Sequence, residues 1–128
     1  MAEPVDNVRP LQPARVLVSG RDKRFLKVAS FLLARRGFEV THAATADELM
    51  ELTDKEPFDV VVLDASSSLT ASLRTAAALT ALHPNVRILF ATDRYSDRVA
   101  PPYAQIDKWR GLDALPDEVS RAQLGLAI

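Results

Sequence analysis

One short stretch decides the fold: residues 59–64, which read Asp-Val-Val-Val-Leu-Asp. Four consecutive apolar residues, three of them β-branched, predict a strand that is buried on both faces. Strands of this kind belong to parallel sheets that helices cover on both sides. Loops and helix N-termini meet at the carboxyl ends of such strands, so the carboxylate of Asp64 is a candidate functional group. The alternative interpretation is that Asp64 only begins a loop.

The sequence around this strand alternates between strand-like and helical segments. Further strands are predicted at residues 16–18, 38–40, 86–91 and 104–106. A first helix is predicted to run from a cap at Asp22 to about residue 36, and a second helix is predicted to open at a capping box, residues 45–48. A third helix, capped by serines 66–68, is predicted to reach about residue 82, and a last helix to begin near Pro116. The alternation predicts an α/β fold with a doubly wound parallel sheet.

Length, charge and composition limit the functional classes. The 128 residues are enough for one domain, which we place at residues 14–128, after a disordered leader at residues 1–13. A net charge of −1 gives no general attraction to nucleic acid or to an anionic membrane. There is no cysteine, which excludes disulfides and thiolate chemistry and is compatible with the cytoplasm. No apolar stretch approaches the roughly 18 residues that span a bilayer.

Three polar residues follow directly on predicted strands: Asp64, Thr92 and Lys108. The carboxyl ends of parallel strands lie on one edge of the sheet, so we expect these side chains to converge. A carboxylate, a hydroxyl and an ammonium group together suit the acceptance of a phosphoryl group. The carboxylate would attack, the lysine would neutralise developing charge, and the hydroxyl would bond a phosphate oxygen.

The order and spacing of these segments resemble the CheY-like receiver domain of response regulators in two-component signalling. The resemblance covers residues 14–125 and implies a flavodoxin-like, five-stranded sheet in the order 2-1-3-4-5, with helices on both faces. It implies that Asp64 is the phospho-acceptor position, Thr92 the switch hydroxyl and Lys108 the family's lysine. The stretches that carry it are residues 16–18, 37–40, 57–64, 88–92 and 106–108.

The chain departs from the family where receivers carry two adjacent acidic residues that hold Mg²⁺. Gly20 and Arg21 stand at those positions, and neither offers the oxygen ligand that Mg²⁺ requires. Asp22 is a weak candidate metal ligand, because its expected role is to cap the first helix. We therefore expect no bound metal, with the Arg21 guanidinium paired to Asp64 as its counter-ion. The alternative is that Arg21 points to solvent.

Further departures concern the surroundings of the switch. Trp109 stands where a proline follows the lysine in the family, Asp93 replaces a small residue beside Thr92, and Gln105 takes the position of an aromatic switch residue. Only 15 residues, 93–107, separate Thr92 from Lys108, fewer than is usual. We expect the fourth helix of the family to be shortened or lost.

The basic residues of the first helix leave two interpretations open. Arg21, Lys23, Arg24, Lys27, Arg35 and Arg36 make this helix positive. Such a face is either solvated or a dock for an acidic partner.

Together these features predict an atypical receiver, or pseudo-receiver, in phosphorelay signalling. It would act in the cytoplasm by protein–protein contact, without enzymatic activity or a cofactor, and with Mg²⁺-dependent phosphorylation lost or weak. Its expected partners are a histidine kinase or a downstream effector, and a homodimer is allowed. The alternative is a functional receiver that binds Mg²⁺ and is phosphorylated on Asp64 by a histidine kinase. A small-molecule binding module on the same sheet is the third interpretation, since fold does not fix function.

Overall fold

The computed structural model describes residues 13–93, 99 and 103–124. Five parallel strands form one sheet in the order β2-β1-β3-β4-β5, which confirms the predicted flavodoxin-like topology. The strands are β1 (Arg15–Ser19), β2 (Glu39–Ala43), β3 (Val60–Asp64), β4 (Arg87–Thr92) and β5 (Ala104–Asp107). The α-helices are α1 (Lys23–Arg35), α2 (Ala46–Lys55), α3 (Leu69–Leu82) and α4 (Leu115–Gln123), and α4 follows a 3₁₀ helix, Leu112–Ala114.

Two sequence predictions fall on parts of the chain outside the described residues. One is the disordered leader, of which only Pro13 is described. The other is the shortened or lost helix between β4 and β5, which concerns residues 94–98 and 100–102. None of the helices in the described part of the chain is both long enough and apolar enough to cross a membrane.

The apolar strand β3 lies at the centre of the sheet. β3 pairs with β1 on one side and with β4 on the other, and Val60, Val61, Val62 and Leu63 are all buried. Alternate residues of the strand point to opposite faces. Val60 and Val62 belong to the core under α1 and α4, whereas Val61 and Leu63 belong to the core under α2 and α3. Both faces of β3 are therefore covered, as its unbroken apolar sequence predicts.

Short polar side chains set the starts of the helices. Asp22 caps α1, Ser68 caps α3, and Thr45 accepts a bond from the amide of Glu48 to cap α2. The Glu48 carboxylate reaches back to the amide of Ala44, which completes the predicted capping box. These caps place the N-termini of α1, α2 and α3 at the edge of the sheet where β1, β2 and β3 end.

Candidate functional site

The predicted site residues lie along the carboxyl edge of the sheet. Asp64 ends β3, Thr92 ends β4, and Lys108 follows β5 directly. The amide of Lys108 donates to the carbonyl of Thr92 at 2.6 Å, which extends the pairing of β5 with β4 by one bond. The backbone of Lys108 is thus fixed to the sheet, and its side chain starts from a defined point.

The ammonium group of Lys108 lies between two carboxylates. Its Nζ is 2.8 Å from Oδ2 of Asp22 and 2.9 Å from Oδ2 of Asp64. A third bond, 3.1 Å long, goes to the hydroxyl of Ser66. A lysine ammonium has three hydrogens to donate, so these three partners use all of them. The Lys108 side chain is only 4% exposed.

Asp64 is held by protein groups on both of its oxygens. Oδ2 pairs with Lys108, and Oδ1 accepts from the amide of Ser66 at 3.0 Å and from the Ser66 hydroxyl at 2.6 Å. The Asp64 side chain is 4% exposed. A buried carboxylate must be paired and hydrogen-bonded to remain charged, and this one is both.

Ser66 is a site residue that the sequence analysis missed. It was grouped with the serines that cap the third helix, but the residue that caps α3 is Ser68. The Ser66 hydroxyl instead donates to Asp64 and accepts from Lys108. The sequence does carry one sign of this contact, since Ser66 stands two residues after Asp64. An aspartate side chain commonly accepts a hydrogen bond from the amide two residues later, in an Asx turn.

Asp22 has two functions, of which the sequence predicted one. Its Oδ1 accepts from the amides of Arg24 and Phe25 at 3.0 and 3.2 Å, which caps α1. Its Oδ2 receives the bond from Lys108, 86 residues away in the chain. That bond is the largest cause of a lowered pKa at Asp22, and the bond from the Phe25 amide adds to it. Asp22 therefore joins the start of α1 to the end of β5.

The surroundings of Lys108 keep its side chain positively charged. Burial by itself would lower the pKa of this lysine, but the hydrogen bonds and charges of Asp22 and Asp64 outweigh burial and raise it. The rings of Phe25 and Trp109 also face the ammonium, with their centroids 5.4 and 5.5 Å from Nζ. Attraction to the ring faces again favours the charged form.

The structure does not bring Arg21 to Asp64 as its counter-ion. Arg21 is exposed, and although both residues line one cavity of about 350 Å³, no ion pair joins them in the described structure. The cation that pairs with Asp64 is Lys108. The physical reason is that one buried ammonium already neutralises the carboxylate, whereas a guanidinium can stay hydrated at the surface without cost. This outcome corrects the expected role of Arg21.

Lys108 pairs with the two carboxylates that a magnesium ion would need at this edge. A Cβ atom on Gly20 would lie 2.6 Å from the Cβ of Asp64, so a carboxylate side chain has no room at that position. Asp22 and Asp64 already share the Lys108 ammonium. Across the described residues, no group of three or more His, Cys, Asp or Glu side chains could hold a metal. Mg²⁺ is commonly held by one or two carboxylates together with waters, so it would have to compete with Lys108 for these two side chains.

Thr92 lies at the predicted edge, but its hydroxyl is bonded to a different neighbour. Its Oγ1 accepts from Nε2 of Gln105 at 2.8 Å, and Oε1 of Gln105 accepts from the amide of Val99 at 2.9 Å. Thr92 is 2% exposed. Gln105 thus binds the Thr92 hydroxyl directly and connects it to Val99. A phosphate contact by Thr92 stays a prediction.

Solved structures with a similar fold include response regulators. A putative pilus assembly-related protein from Burkholderia pseudomallei is 24% identical, with a TM-score of 0.70, over 90% of this chain and 92% of that one. The response regulator TrrA from Thermotoga maritima, solved in complex with Mg²⁺ and BeF, is 18% identical, with a TM-score of 0.73, over 85% and 98%. A CheY-like receiver domain protein from Methanospirillum hungatei is 19% identical, with a TM-score of 0.67, over 88% and 98%.

These similarities show the fold. The chemistry of the site has to be inferred from the residues of this chain. No protein-family model matches the sequence, and no curated protein matches it either. The chain has the fold of a CheY-like receiver domain, and it fills the carboxyl edge with a lysine shared by two carboxylates.

Replacing Lys108 by methionine is expected to destabilise the protein by about 3–5 kcal/mol, because Asp64 would be left buried and unpaired. The measurement is urea unfolding at neutral pH. Part of the loss should return in the double variant Lys108→Met/Asp64→Asn, in which no buried charge remains. The control is Arg74→Met, the loss of an exposed helix cation, which should change the free energy of unfolding by less than about 0.5 kcal/mol. Equal effects of Lys108→Met and Arg74→Met would contradict the prediction.

The lowered pKa of Asp22 predicts how stability depends on acid. A carboxylate whose pKa is lower in the folded state stabilises the fold above its ordinary pKa of 3.8 and loses this effect as the pH falls through the folded pKa. Lys108 has a raised pKa, so its contribution is lost only on the alkaline side, above 10.5.

Wild type should therefore exceed Asp22→Asn in unfolding free energy by a constant amount near neutral pH, and by less and less below about pH 4. Urea unfolding over a pH series measures this difference, with Asp113→Asn, on an exposed aspartate, as the control. A difference that grows in acid would show that Asp22 does not gain stability from its charge.

The close approach of Gly20 to Asp64 gives a third prediction. Gly20→Ala should cost about 1–3 kcal/mol, because the added carbon overlaps the Cβ of Asp64. The cost should persist when it is measured in an Asp64→Ala background, which keeps that Cβ, and shrink in an Asp64→Gly background, which removes it. The same cost in both backgrounds would place the strain elsewhere.

Proposed function

We propose that this chain is an atypical receiver domain that serves two-component signalling by contact with other proteins, with Mg²⁺-dependent phosphorylation of Asp64 lost or weak. The fold supports the receiver assignment, since its structural neighbours include response regulators. One observation carries the atypical part: the ammonium of Lys108 lies between the carboxylates of Asp22 and Asp64.

The chemistry of phosphoryl transfer explains why this arrangement disfavours phosphorylation. A carboxylate that attacks phosphorus needs an accessible oxygen and an open line of approach. Oδ1 of Asp64 accepts two bonds from Ser66, Oδ2 accepts one from Lys108, and only 4% of the side chain is exposed. A phosphate donor would also arrive without the metal that normally neutralises its charge. The attack would thus require Asp64 to become more accessible than it is in the structure.

Contacts with partners would then carry the signal. A histidine kinase or a downstream effector is the partner class that the fold suggests, in the cytoplasm. The Burkholderia pseudomallei neighbour is described as pilus assembly-related, and a part in assembling a larger structure would also depend on contact. The proposal assigns no catalytic activity to the chain.

The second candidate function is phosphorylation of Asp64 by a histidine kinase. It is favoured by the direct pairing of Asp64 with Lys108, since a phosphoryl acceptor and its neutralising lysine must lie this close. Mg²⁺ would be required under this reading, and Lys108 would have to release Asp22 or Asp64 to admit it.

Incubation with acetyl phosphate and Mg²⁺, followed by intact-mass measurement, tests the proposal. We expect no phosphoryl adduct in the wild type or in Asp64→Asn, whereas a conventional receiver in the same buffer becomes labelled. Trp109 lies 5.5 Å from the Lys108 ammonium, so its fluorescence reports on the site. It should show no saturable change on titration with Mg²⁺. An adduct that forms on the wild type and is absent from Asp64→Asn would favour the second candidate.

A further inference from the structure

We propose that the face of α1 beside β2 is a docking groove for an acidic amphipathic helix of a partner protein. The groove is a surface separate from the Asp64 site. The inference deepens the proposed function, on which it rests, because it assigns the surface through which a contact-based domain would bind its partner.

Positive charge is concentrated on this helix. Six of the sixteen lysines and arginines of the chain lie within residues 21–36, where Asp22 is the only acid. Asp22 is already engaged by Lys108. The chain as a whole has a net charge of −1, so the positive face of α1 reflects a separation of charge across the molecule and not a basic protein.

An apolar groove lies within this positive face. A cavity of about 480 Å³ is lined by Lys23, Leu26, Lys27, Ser30, Phe31 and His42. Of these, Phe31 is 59% exposed. Leu26 lies in the same groove and belongs to the core, so the apolar surface continues from the interior to the outside. A partner that covered Phe31 would bury an aromatic side chain, a residue type that is enriched at protein interfaces.

The spacing of the groups indicates a helix as the occupant. Lys23, Lys27, Phe31 and Arg35 follow one another at intervals of four residues and form a stripe along α1, about 18 Å long. Lys23 and Lys27 form no ion pair with any residue that the structure describes, and the Arg35 guanidinium lies 5.6 Å from the centre of the Phe31 ring. A partner helix repeats its side chains with the same period. Acidic residues on successive turns would meet the two lysines while an apolar residue packs on Phe31.

Charge also argues against a second copy of the chain as the occupant. A symmetric contact between two copies through this face would bring their lysines and arginines together, which opposes association. An anionic membrane would attract the same cations, so the test includes vesicles of anionic lipid. A protein helix with its own apolar stripe satisfies both the charge and the groove.

A synthetic helical peptide made of glutamate, alanine and leucine, with the leucines along one face, is the probe. Amide shifts in two-dimensional NMR of the full chain should move first at residues 23–31 and at His42, and binding should weaken with added salt. A peptide of the same composition with its leucines scattered around the helix should bind more weakly. A peptide with lysine in place of glutamate should not bind.

Matched variants separate the groove from general charge and apolarity. Lys27→Glu and Phe31→Ala should each weaken peptide binding by about tenfold or more. The controls are Arg74→Glu, which reverses an exposed cation on α3, and Leu82→Ala, which removes an exposed apolar side chain from the same helix. Both controls should bind the peptide as the wild type does.

Several outcomes would overturn the inference. These are equal binding of the ordered and scattered peptides, unchanged binding by the two α1 variants, self-association in sedimentation that Lys27→Glu abolishes, and adsorption to vesicles of anionic lipid that depends on Phe31. Failure of the proposed function gives a different result, because labelling of Asp64 by acetyl phosphate involves neither Lys27 nor Phe31. A labelled Asp64 with intact peptide binding would reject the atypical assignment and keep the groove.

Discussion

The arrangement of the sheet edge depends on one ammonium group shared by two carboxylates. Asp64 ends a strand that is buried on both faces, so its charge must be neutralised where water is scarce. Lys108 provides that charge from the end of β5, and Asp22 takes the same ammonium from the start of α1. The three side chains come from distant parts of the chain, and each would be costly to bury alone.

The neighbouring residues fit this arrangement and exclude others. Gly20 leaves space for the Asp64 side chain that any other residue would occupy. Ser66 donates a hydrogen bond to the Asp64 carboxylate and accepts one from the Lys108 ammonium. Every hydrogen of that ammonium and both oxygens of Asp64 therefore have a partner. A metal that bound here would have to displace Lys108 from at least one of the two carboxylates.

The sequence predicted which residues lie at the sheet edge better than it predicted the contacts between their side chains. The apolar run at residues 60–63 is a signal of local composition, and it placed β3 and Asp64 correctly because burial on both faces demands that composition. The position of Lys108 followed from the alternation of strands. The partner of Asp64 did not, because Arg21 and Lys108 carry the same charge and only the depth at which each is buried distinguishes them. The bond between Asp22 and Lys108 joins residues 86 positions apart, and helix capping already accounted for Asp22.

Asp22 connects the two surfaces on which the proposals rest. One of its oxygens holds the first turn of α1, and the other holds Lys108. The first turn of α1 also carries Lys23 and Phe25, of which the first lines the groove and the second faces the ammonium with its ring. A partner that shifted the start of α1 would therefore pull on the same carboxylate that helps to keep Lys108 against Asp64. Movement of α1 would thus be a physical route by which binding at the groove alters the Asp64 site. That route would need no change of metal or phosphate at the sheet edge.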